Sequence, residues 1–338
     1  MDTTAAARRR PTIRDVAAAA GVSRGTVSRV INGGHWVSPE AREAVERAIA
    51  ATGYRANQHA RSLVTGRSNS LAFLLTEPHH LLFADPTFSI LLRGAAEALS
   101  ERGMTLILLV AGTPEERENV AQYVGAGHVD GVLLISSHAD DPLLDTLVEQ
   151  GIPTVACGIP LGHADQVGSV SVDEQAGARV MVAHLRSQGR RRIATITGPL
   201  DTPGGRLRLE GYRAELGDAY DERYVVHGDY TAESGAAGMD VLLDRVPDLD
   251  AVFAASDLMA AGALGVLRRR GLRVPDDVAV GGFDDSGLAA TLDPPLTTIH
   301  QPFDRISAEM VTMLLDVVGG APYSAVTMPA ELVRRASA

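Results

Sequence analysis

Residues 12–32, TIRDVAAAAGVSRGTVSRVIN, contain two short helical patterns joined at a glycine, and they constrain the fold of this chain more than any other segment. Thr12 and Asp15 have the spacing of a capping box, which predicts that a helix begins there. Apolar residues then recur at intervals of three and four and give this helix one apolar face: Ile13, Val16, Ala17 and Ala20. Gly21 supplies the permissive backbone that a tight turn requires.

A second helix is predicted after the turn, with Ser23 as its cap. Its inner face would carry Val27, Val30 and Ile31, and its outer face would carry Arg24, Gly25, Ser28 and Arg29. This arrangement is typical of the helix-turn-helix, in which the second helix lies in the major groove of DNA. The alternative is an ordinary helical hairpin. Arg24 counts against it, because the helix dipole disfavours a cation in the first turn unless a phosphate or a guanine edge lies nearby.

A third helix and a polar linker follow. Ser38, Pro39 and Glu40 provide a cap, a proline at the first helical position and an early acid, and Gly53 ends the helix. Three short helices share only a small core, so such a unit is marginally stable by itself. Residues 57–68 are polar, and we expect this linker to form a hinge helix only on contact with DNA and a second copy of the chain.

The two parts of the chain differ in charge. Residues 1–67 carry eleven arginines and five acids, a net charge of +6, whereas the whole chain carries −11 and the remainder therefore −17. A basic head on an acidic body is the asymmetry expected when one small domain meets a polyanion. The run Arg8–Arg10 lies in residues 1–11, which we predict to be a disordered basic arm.

Five consecutive segments carry a resemblance to a known family: TIRDVAAAAGVS, TVSRVIN, VSPEAREAV, ATGYRANQHARSL and TGRSNSLAFLL. In this register the chain resembles the lactose-repressor (LacI/GalR) family of bacterial transcription regulators over essentially its whole length. The resemblance implies a helix-turn-helix DNA-binding domain over residues 12–56, a hinge helix over 57–68 and an effector-binding and dimerisation core over 69–338. It implies a homodimer that binds double-stranded DNA at a near-palindromic operator and changes its affinity when a small molecule binds.

The same resemblance implies roles for individual residues of the head. Three positions would read bases: Arg24, Gly25 and Arg29. Six would hold phosphates: Thr12, Ser23, Thr26, Asn32, Tyr54 and Asn57. Leu63 stands where the hinge leucine of the family wedges into the minor groove. The predicted DNA-contacting set also includes Arg14, Ser28 and Ala60. Two positions depart from the family pattern, because Gly25 has no side chain with which to exclude a base and Ala56 stands where a proline is usual.

The rest of the chain alternates apolar runs with helical patterns. The runs are SLAFLLT, MTLILLVAG, VDGVLLISS, IPTVAC, RRIATITG, YVVHGDY, LDAVFAASD and VAVGGF. This alternation predicts an α/β fold of parallel sheets covered on both faces, and roughly 270 residues exceed one compact domain. We therefore expect two lobes, the first over 69–168 and 299–325 and the second over 169–298 and 326–338, as in periplasmic binding proteins. The cleft between them is the expected small-molecule site.

Five residues near the predicted strand ends are candidates for effector binding, because ligands of such sheets meet the loops that follow the strands. They are Phe88, Arg206, Tyr230, Asp257 and Asp284. Each has a structural alternative: a surface arginine, a helix cap for either aspartate, or an aromatic that fills a gap. The resemblance implies that these positions hold the effector. An arginine that faces an aspartate beside an aromatic ring suits vicinal hydroxyls, so we expect a sugar or sugar derivative rather than a nucleobase.

Signals for other functions are weak. GVSRG at residues 21–25 matches the nucleophile elbow of hydrolases, but a helix precedes it where the elbow requires a strand. The chain has no lysine for a phosphate-binding loop, its ten histidines lack metal-ligand spacing, and Cys157 is its one cysteine. We therefore expect no enzyme activity, no cofactor and no metal.

A single cysteine and the lack of an apolar leader or membrane-length run fit a cytoplasmic protein. With no leucine heptad at the end of the sequence, a dimer is expected rather than a tetramer. The alternatives are a nucleobase-responsive or corepressor-dependent regulator of the same family and, more remotely, a solute-binding transport protein. The latter would need a secretion signal and no basic head.

Overall fold

The computed structural model describes residues 11–31, 36–54 and 67–338. The predicted hinge helix lies outside these residues except for its last two positions, as does the predicted basic arm up to residue 10. Four residues predicted to contact DNA also lie outside them: Asn32, Asn57, Ala60 and Leu63. By its contacts the chain divides into two compact units, Met1–Asn69 and Ser70–Ala338.

The described residues of the first unit form the three predicted helices, α1 (Ile13–Ala20), α2 (Arg24–Ile31) and α3 (Pro39–Thr52). At the start of α1 the Asp15 carboxylate accepts hydrogen bonds from the backbone N–H and the hydroxyl of Thr12, at 2.7 and 2.8 Å. Gly21 ends this helix in the left-handed conformation, with φ of 66°. The caps and the turn that the sequence predicts are therefore confirmed.

The core of this unit is small. Its fully buried residues come from all three helices and are Val16, Ala17, Val27, Val30, Val45 and Ala48. The half-buried residues Ile13, Val22 and Tyr54 pack around them. Because the apolar sides of α1 and α2 face this core, the opposite side of α2 remains available to solvent or to a partner.

The second unit alternates strands with helices along most of its length. Its strands are β1 (Ser70–Leu75), β2 (Thr105–Val110), β3 (Val132–Ile135), β4 (Thr154–Cys157), β5 (Gly168–Val172), β6 (Ile193–Thr197), β7 (Val225–His227), β8 (Ala251–Ala254), β9 (Ala279–Gly281), β10 (Thr298–His300), β11 (Ala325–Met328) and β12 (Glu331–Val333). Its α-helices are α4 (His79–Ala84), α5 (Pro86–Ser100), α6 (Pro114–Gly125), α7 (Pro142–Glu149), α8 (Glu174–Ser187), α9 (Pro203–Leu216), α10 (Ala232–Arg245), α11 (Asp257–Arg269), α12 (Leu288–Thr291) and α13 (Phe303–Val318).

Two parallel sheets form the bodies of two lobes. The strand order is β11-β5-β4-β3-β1-β2 in the first lobe and β7-β6-β8-β9 in the second. Helices cover both faces of such sheets, and every residue of β1, β3, β6 and β8 is accordingly buried. The parallel α/β fold predicted from the sequence is therefore confirmed. None of the helices in the described ranges is both long and apolar enough to cross a membrane.

The chain crosses between the lobes three times. The predicted crossing at 298/299 lies within β10, whereas the other two crossings lie at other residues than predicted. The expected boundaries at 168/169 and 325/326 would place most of β5 and β11 in the second lobe. Both strands belong to the sheet of the first lobe, because β5 pairs with β4 on one side and with β11 on the other. The boundaries therefore follow Val172 and Met328. The boundaries were misplaced because the residue pattern of a strand shows only that the strand is buried. The sheet that it joins depends on pairing with strands that are distant in the sequence.

Helices α10 and α11 cover one face of the second sheet and approach each other at glycines. A Cβ atom at Gly262 would overlap the carbonyl oxygen of Ala232, and a Cβ at Gly235 would overlap the backbone of Met259. These two glycines allow the two helix backbones to come closer than larger residues would permit.

Gly262→Ala should lower the free energy of unfolding by about 1–3 kcal/mol, because α10 must move away to admit the new methyl group. The matched control is Gly265→Ala on the same helix, where a Cβ would meet only the flexible end of Arg269 at 3.7 Å. That change should stabilise the chain by roughly 0.5–1 kcal/mol through helix propensity. Urea denaturation followed by circular dichroism measures both, and equal effects at the two sites would refute the close-packing argument.

Candidate functional site

The polar face of α2 carries the side chains that the sequence singled out for DNA. Arg24, Gly25 and Arg29 are exposed, and Ser28 is half-buried between them on the same face. A Cβ at Gly25 would have only the Ser23 hydroxyl near it, at 3.6 Å, so this position stands open. The structure therefore brings the predicted base-reading residues together on one side of a short helix.

Four of the six predicted phosphate-holding residues are among the described residues, and they lie around the beginning of α2 and elsewhere on the unit. The Ser23 hydroxyl accepts a hydrogen bond from the Thr26 N–H at 3.1 Å and lies 3.0 Å from the Thr26 hydroxyl. Thr12 stands at the beginning of α1, and Arg14 is exposed two residues later. Tyr54 packs against the core of the unit and is half-buried. The backbone N–H groups at such helix starts are suited to anions.

A cavity of about 390 Å³ lies between the two lobes of the second unit. Its walls are the loops at the carboxyl ends of both sheets. From the first lobe they include Glu77, Ser136, His138 and Gly158, and from the second Pro199, Thr202, Tyr230, Ser256 and Asp284. The edges at which parallel strands end are where open α/β sheets bind ligands.

Arg208 organises the floor of this cavity. Arg208 is 6% exposed, and its Nε donates to Glu174 Oε2 at 2.6 Å. Its Nη1 donates to the carbonyl oxygen of Ala255 and lies 3.5 Å from Asp284 Oδ1. The guanidinium also stacks over the ring of Phe283, 3.7 Å from the ring centre. A buried charge with two carboxylates and a carbonyl around it is fixed in position before any ligand arrives.

The carboxylates of the cavity differ in how they are partnered. Burial raises the pKa of Asp284 well above its ordinary value, although Arg208 acts in the opposite direction, and Gln301 Nε2 donates to Asp284 Oδ1 at 2.8 Å. Burial also raises the pKa of Asp85, whose Oδ1 accepts from the N–H of Thr87 at 2.8 Å. Carboxyl groups that are buried beside a cavity are suited to accept hydrogen bonds from the hydroxyls of a neutral ligand, and to donate hydrogen bonds to them when protonated.

Three of the five candidate effector residues line the cavity: Phe88, Tyr230 and Asp284. The Tyr230 hydroxyl lies 3.2 Å from that of Thr202, and burial raises the pKa of Tyr230 to about 12. Tyr230 and Asp284 both have positive φ, 70° and 119°. Non-glycine residues held in such conformations are strained, and they cluster at binding sites.

The other two candidates do not line the cavity. Arg206 is exposed on α9, and its Nη2 reaches only the carbonyl oxygen of Leu200, at 3.4 Å. Arg206 therefore does not line the cavity as predicted, and the arginine that does is Arg208, two positions later. Asp257 is buried behind the wall, where its Oδ1 accepts from the Thr298 hydroxyl at 2.5 Å. It does not cap α11 with its side chain either, since Ser256 does so.

Sequence reasoning missed several residues of the cavity, and one of them had a readable signal. Gly205, Arg208, Leu209 and Tyr212 recur at intervals of three and four along α9, and all four are buried. This stripe places Arg208 on the inner face and Arg206 on the outer face. The remaining missed residues give no such signal, because they come from separate loops: Glu77, Asp85, His138 and Gln301.

Comparison with known families identifies both units. Residues 12–57 match the family described as "Bacterial regulatory proteins, lacI family", and residues 182–338 match the "Periplasmic binding protein-like domain". Among curated proteins, the HTH-type transcriptional regulator CelR of Thermobifida fusca is 50% identical, over 93% of each chain. The ribose operon repressor of Escherichia coli K12 is 36% identical over 90% of this chain and 92% of its own length.

Solved structures are similar over the same length. A complex of the transcriptional regulator CelR with cellobiose has a TM-score of 0.78 and 46% identity, and the match covers 97% of this chain and all of that one. The lac repressor dimer bound to operator and the anti-inducer ONPF has a TM-score of 0.83 and 28% identity, over 97% of this chain and 99% of that one.

Arg208→Ala should lower the free energy of unfolding of the second unit by about 3–5 kcal/mol, because it leaves Glu174 and Asp284 buried without their cation. Arg206→Ala is the matched control on the same helix and should change it by less than about 0.5 kcal/mol. Denaturation followed by circular dichroism distinguishes the two. Comparable losses, or no loss in the Arg208 variant, would contradict the described network.

Proposed function

The chain belongs to the LacI family of bacterial regulatory proteins, and from that membership we propose that it represses transcription under the control of a neutral disaccharide of the cellobiose type. The observation that carries the proposal is that one chain combines an arginine-bearing helix-turn-helix face with a cavity between two lobes whose lining includes several carboxylates. The relatives are named as transcription regulators, and we propose no catalytic role. A protein that binds operator DNA works in the cytoplasm of a bacterium.

The DNA side of the proposal rests on α2. Arg29 and Arg24 would reach base edges in the major groove, with Ser23 and Thr26 on the phosphates next to them. One helix-turn-helix unit covers only half of a recognition site, so two copies of the chain would bind a near-palindromic operator. Gly25 adds no side chain to this surface, and we propose that discrimination therefore depends mainly on the two arginines.

The effector side rests on the size and the charge of the cavity. About 390 Å³ lies within the range of small-molecule pockets. Among the described residues that line it, five are acidic: Glu77, Asp85, Glu174, Asp229 and Asp284. Arg208 is the single arginine of this lining and is already occupied by two of these acids. Such a surplus of carboxylates favours a ligand that donates hydroxyl groups and opposes one that carries a phosphate.

Binding in the cavity would control binding at the operator through the positions of the lobes. An effector that prefers one arrangement of the lobes shifts the chain toward that arrangement, and a coupling of about 1–3 kcal/mol changes operator affinity roughly 5- to 150-fold. Reciprocity requires operator DNA to change effector affinity by the same factor. A titration of operator DNA with and without the effector therefore measures both the size of the change in operator affinity and its direction.

Cellobiose should bind the purified full-length chain and change its affinity for the operator, whereas cellobiose 6′-phosphate should bind at least about tenfold more weakly. The phosphate brings a charge of about −1.5 to −2 into an already acidic cavity. Isothermal titration calorimetry with the two sugars measures the difference. Stronger binding of the phosphorylated sugar would show that the acidic lining does not select the ligand.

Arg29→Ala should weaken operator binding by about 1–3 kcal/mol and relax the preference for one base pair, because a bidentate contact to a guanine is lost. Arg47→Ala is the matched control, since Arg47 lies on α3 with a 74% exposed side chain and pairs with Glu43 at 3.5 Å. Fluorescence anisotropy against a set of single-base operator variants measures both. A uniform loss over all variants would mean that Arg29 contacts phosphate rather than a base.

A further inference from the structure

At the mouth of the cavity, one histidine joins acids from both lobes. His138 lies in the loop that follows β3 of the first lobe, and its Nε2 lies 2.9 Å from Glu77 Oε1 of the same lobe. Its Nδ1 lies 2.9 Å from Asp201 Oδ2, in the loop between β6 and α9 of the second lobe. The imidazole therefore bridges the two lobes.

Both ring nitrogens of His138 face a carboxylate, so the imidazole carries a proton on each when it is charged. The hydrogen bond to Glu77, together with that to Asp201, raises the pKa of His138 to about 9 in spite of its burial. Burial alone would raise the pKa of Glu77, but hydrogen bonds from His138 and Ser136 outweigh it and lower that pKa. The bridge is thus made of an imidazolium between two carboxylates.

A backbone hydrogen bond next to this bridge also joins the lobes. The N–H of Ala139 donates to the carbonyl oxygen of Asp201 at 2.7 Å. The loop that carries His138 is held in strained conformations on both sides, since Ser136 has φ of 62° and Asp140 has φ of 58°. Two interlobe hydrogen bonds thus converge on one residue of the second lobe, Asp201.

We propose that His138 is a positioning residue that holds the two lobes together at the mouth, and that effector affinity depends on its link to Asp201. The effector meets walls from both lobes, so an arrangement that keeps the walls together binds it more tightly. His138 and Glu77 line the cavity, whereas Asp201 does not and its side chain is 56% exposed. Removal of the Asp201 carboxylate therefore tests the link without removing a wall of the cavity. The proposal rests on the effector-binding role proposed above.

The chain provides a matched pair that lies within one lobe. His163 Nε2 lies 2.7 Å from Asp145 Oδ1, and both residues belong to the first lobe. The exposed fractions of the two side chains are 20% and 55%, against 21% and 56% for His138 and Asp201. Asp145→Ala therefore removes the same kind of ion pair without separating the lobes.

The first measurement needs no sugar. In the full-length chain, Asp201→Ala should speed hydrogen exchange of the Ala139 amide at least about tenfold, because the lobes then separate more often. The substitution keeps the backbone carbonyl that accepts from this amide, so faster exchange reports separation of the lobes and not the loss of the acceptor. Asp145→Ala should leave this amide unchanged. Unchanged exchange at Ala139 in the Asp201 variant would overturn the proposal.

The second measurement uses cellobiose as the probe. Asp201→Ala should weaken its binding roughly three- to tenfold, Asp201→Asn less so because its amide oxygen still accepts from the ring, and Asp145→Ala not at all. In a His138→Ala background, Asp201→Ala should have no further effect, since the ring that bonds Asp201 is gone. An equal loss in both backgrounds would overturn the link. If the unchanged chain does not bind cellobiose, the proposed effector is wrong, and the exchange of Ala139 still decides the interlobe link.

Discussion

The buried charge of Arg208 is the interaction on which the cavity depends. A buried guanidinium requires anionic partners. The groups that contact it come from three separate places: Glu174 at the start of α8, the carbonyl of Ala255 after β8, and Asp284 after β9. One side chain thus fixes the relative positions of the loops that form the floor. The aromatic ring of Phe283 closes the remaining side of the guanidinium and excludes water from it.

This arrangement determines what a ligand can do there. Arg208 has its charge satisfied by Glu174 and Asp284, so an added anion would have to compete with acids that are already bound. Hydroxyl groups face no such competition, because they can donate to the carboxylates and accept from neighbouring donors such as Gln301. The positive φ of Tyr230 and Asp284 also indicates a binding site, since strain of this kind persists only where the surrounding packing enforces it.

The sequence predicted those features that depend on neighbouring residues. The capping box of Thr12 and Asp15, the turn at Gly21 and the buried strands are local, and the structure has all of them. The prediction that Arg206 lines the cavity was wrong because it was based on the loop before α9. The spacing of the buried residues along α9 places Arg208 on the inner face of the helix instead. The residues of β5, Gly168–Val172, do not show which sheet this strand joins. One of its partners, β4, comes shortly before it in the sequence, whereas the other, β11, comes near the end of the chain.

The cavity and the crossings between the lobes share residues, which gives a short physical route from ligand to lobe motion. Asp284 lines the cavity, and its backbone N–H donates to the carbonyl of Ile299 in the crossing strand β10, at 2.8 Å. Gln301, at the end of that crossing, donates to the Asp284 carboxylate. Further along, Arg335 near the third crossing pairs with Asp285 at 2.6 Å. A ligand hydroxyl that donates a hydrogen bond to the Asp284 carboxylate therefore alters the partners of a crossing segment directly. Because packed elements prefer a few discrete arrangements over continuous deformation, we expect a change of this kind at the crossings to rotate whole lobes.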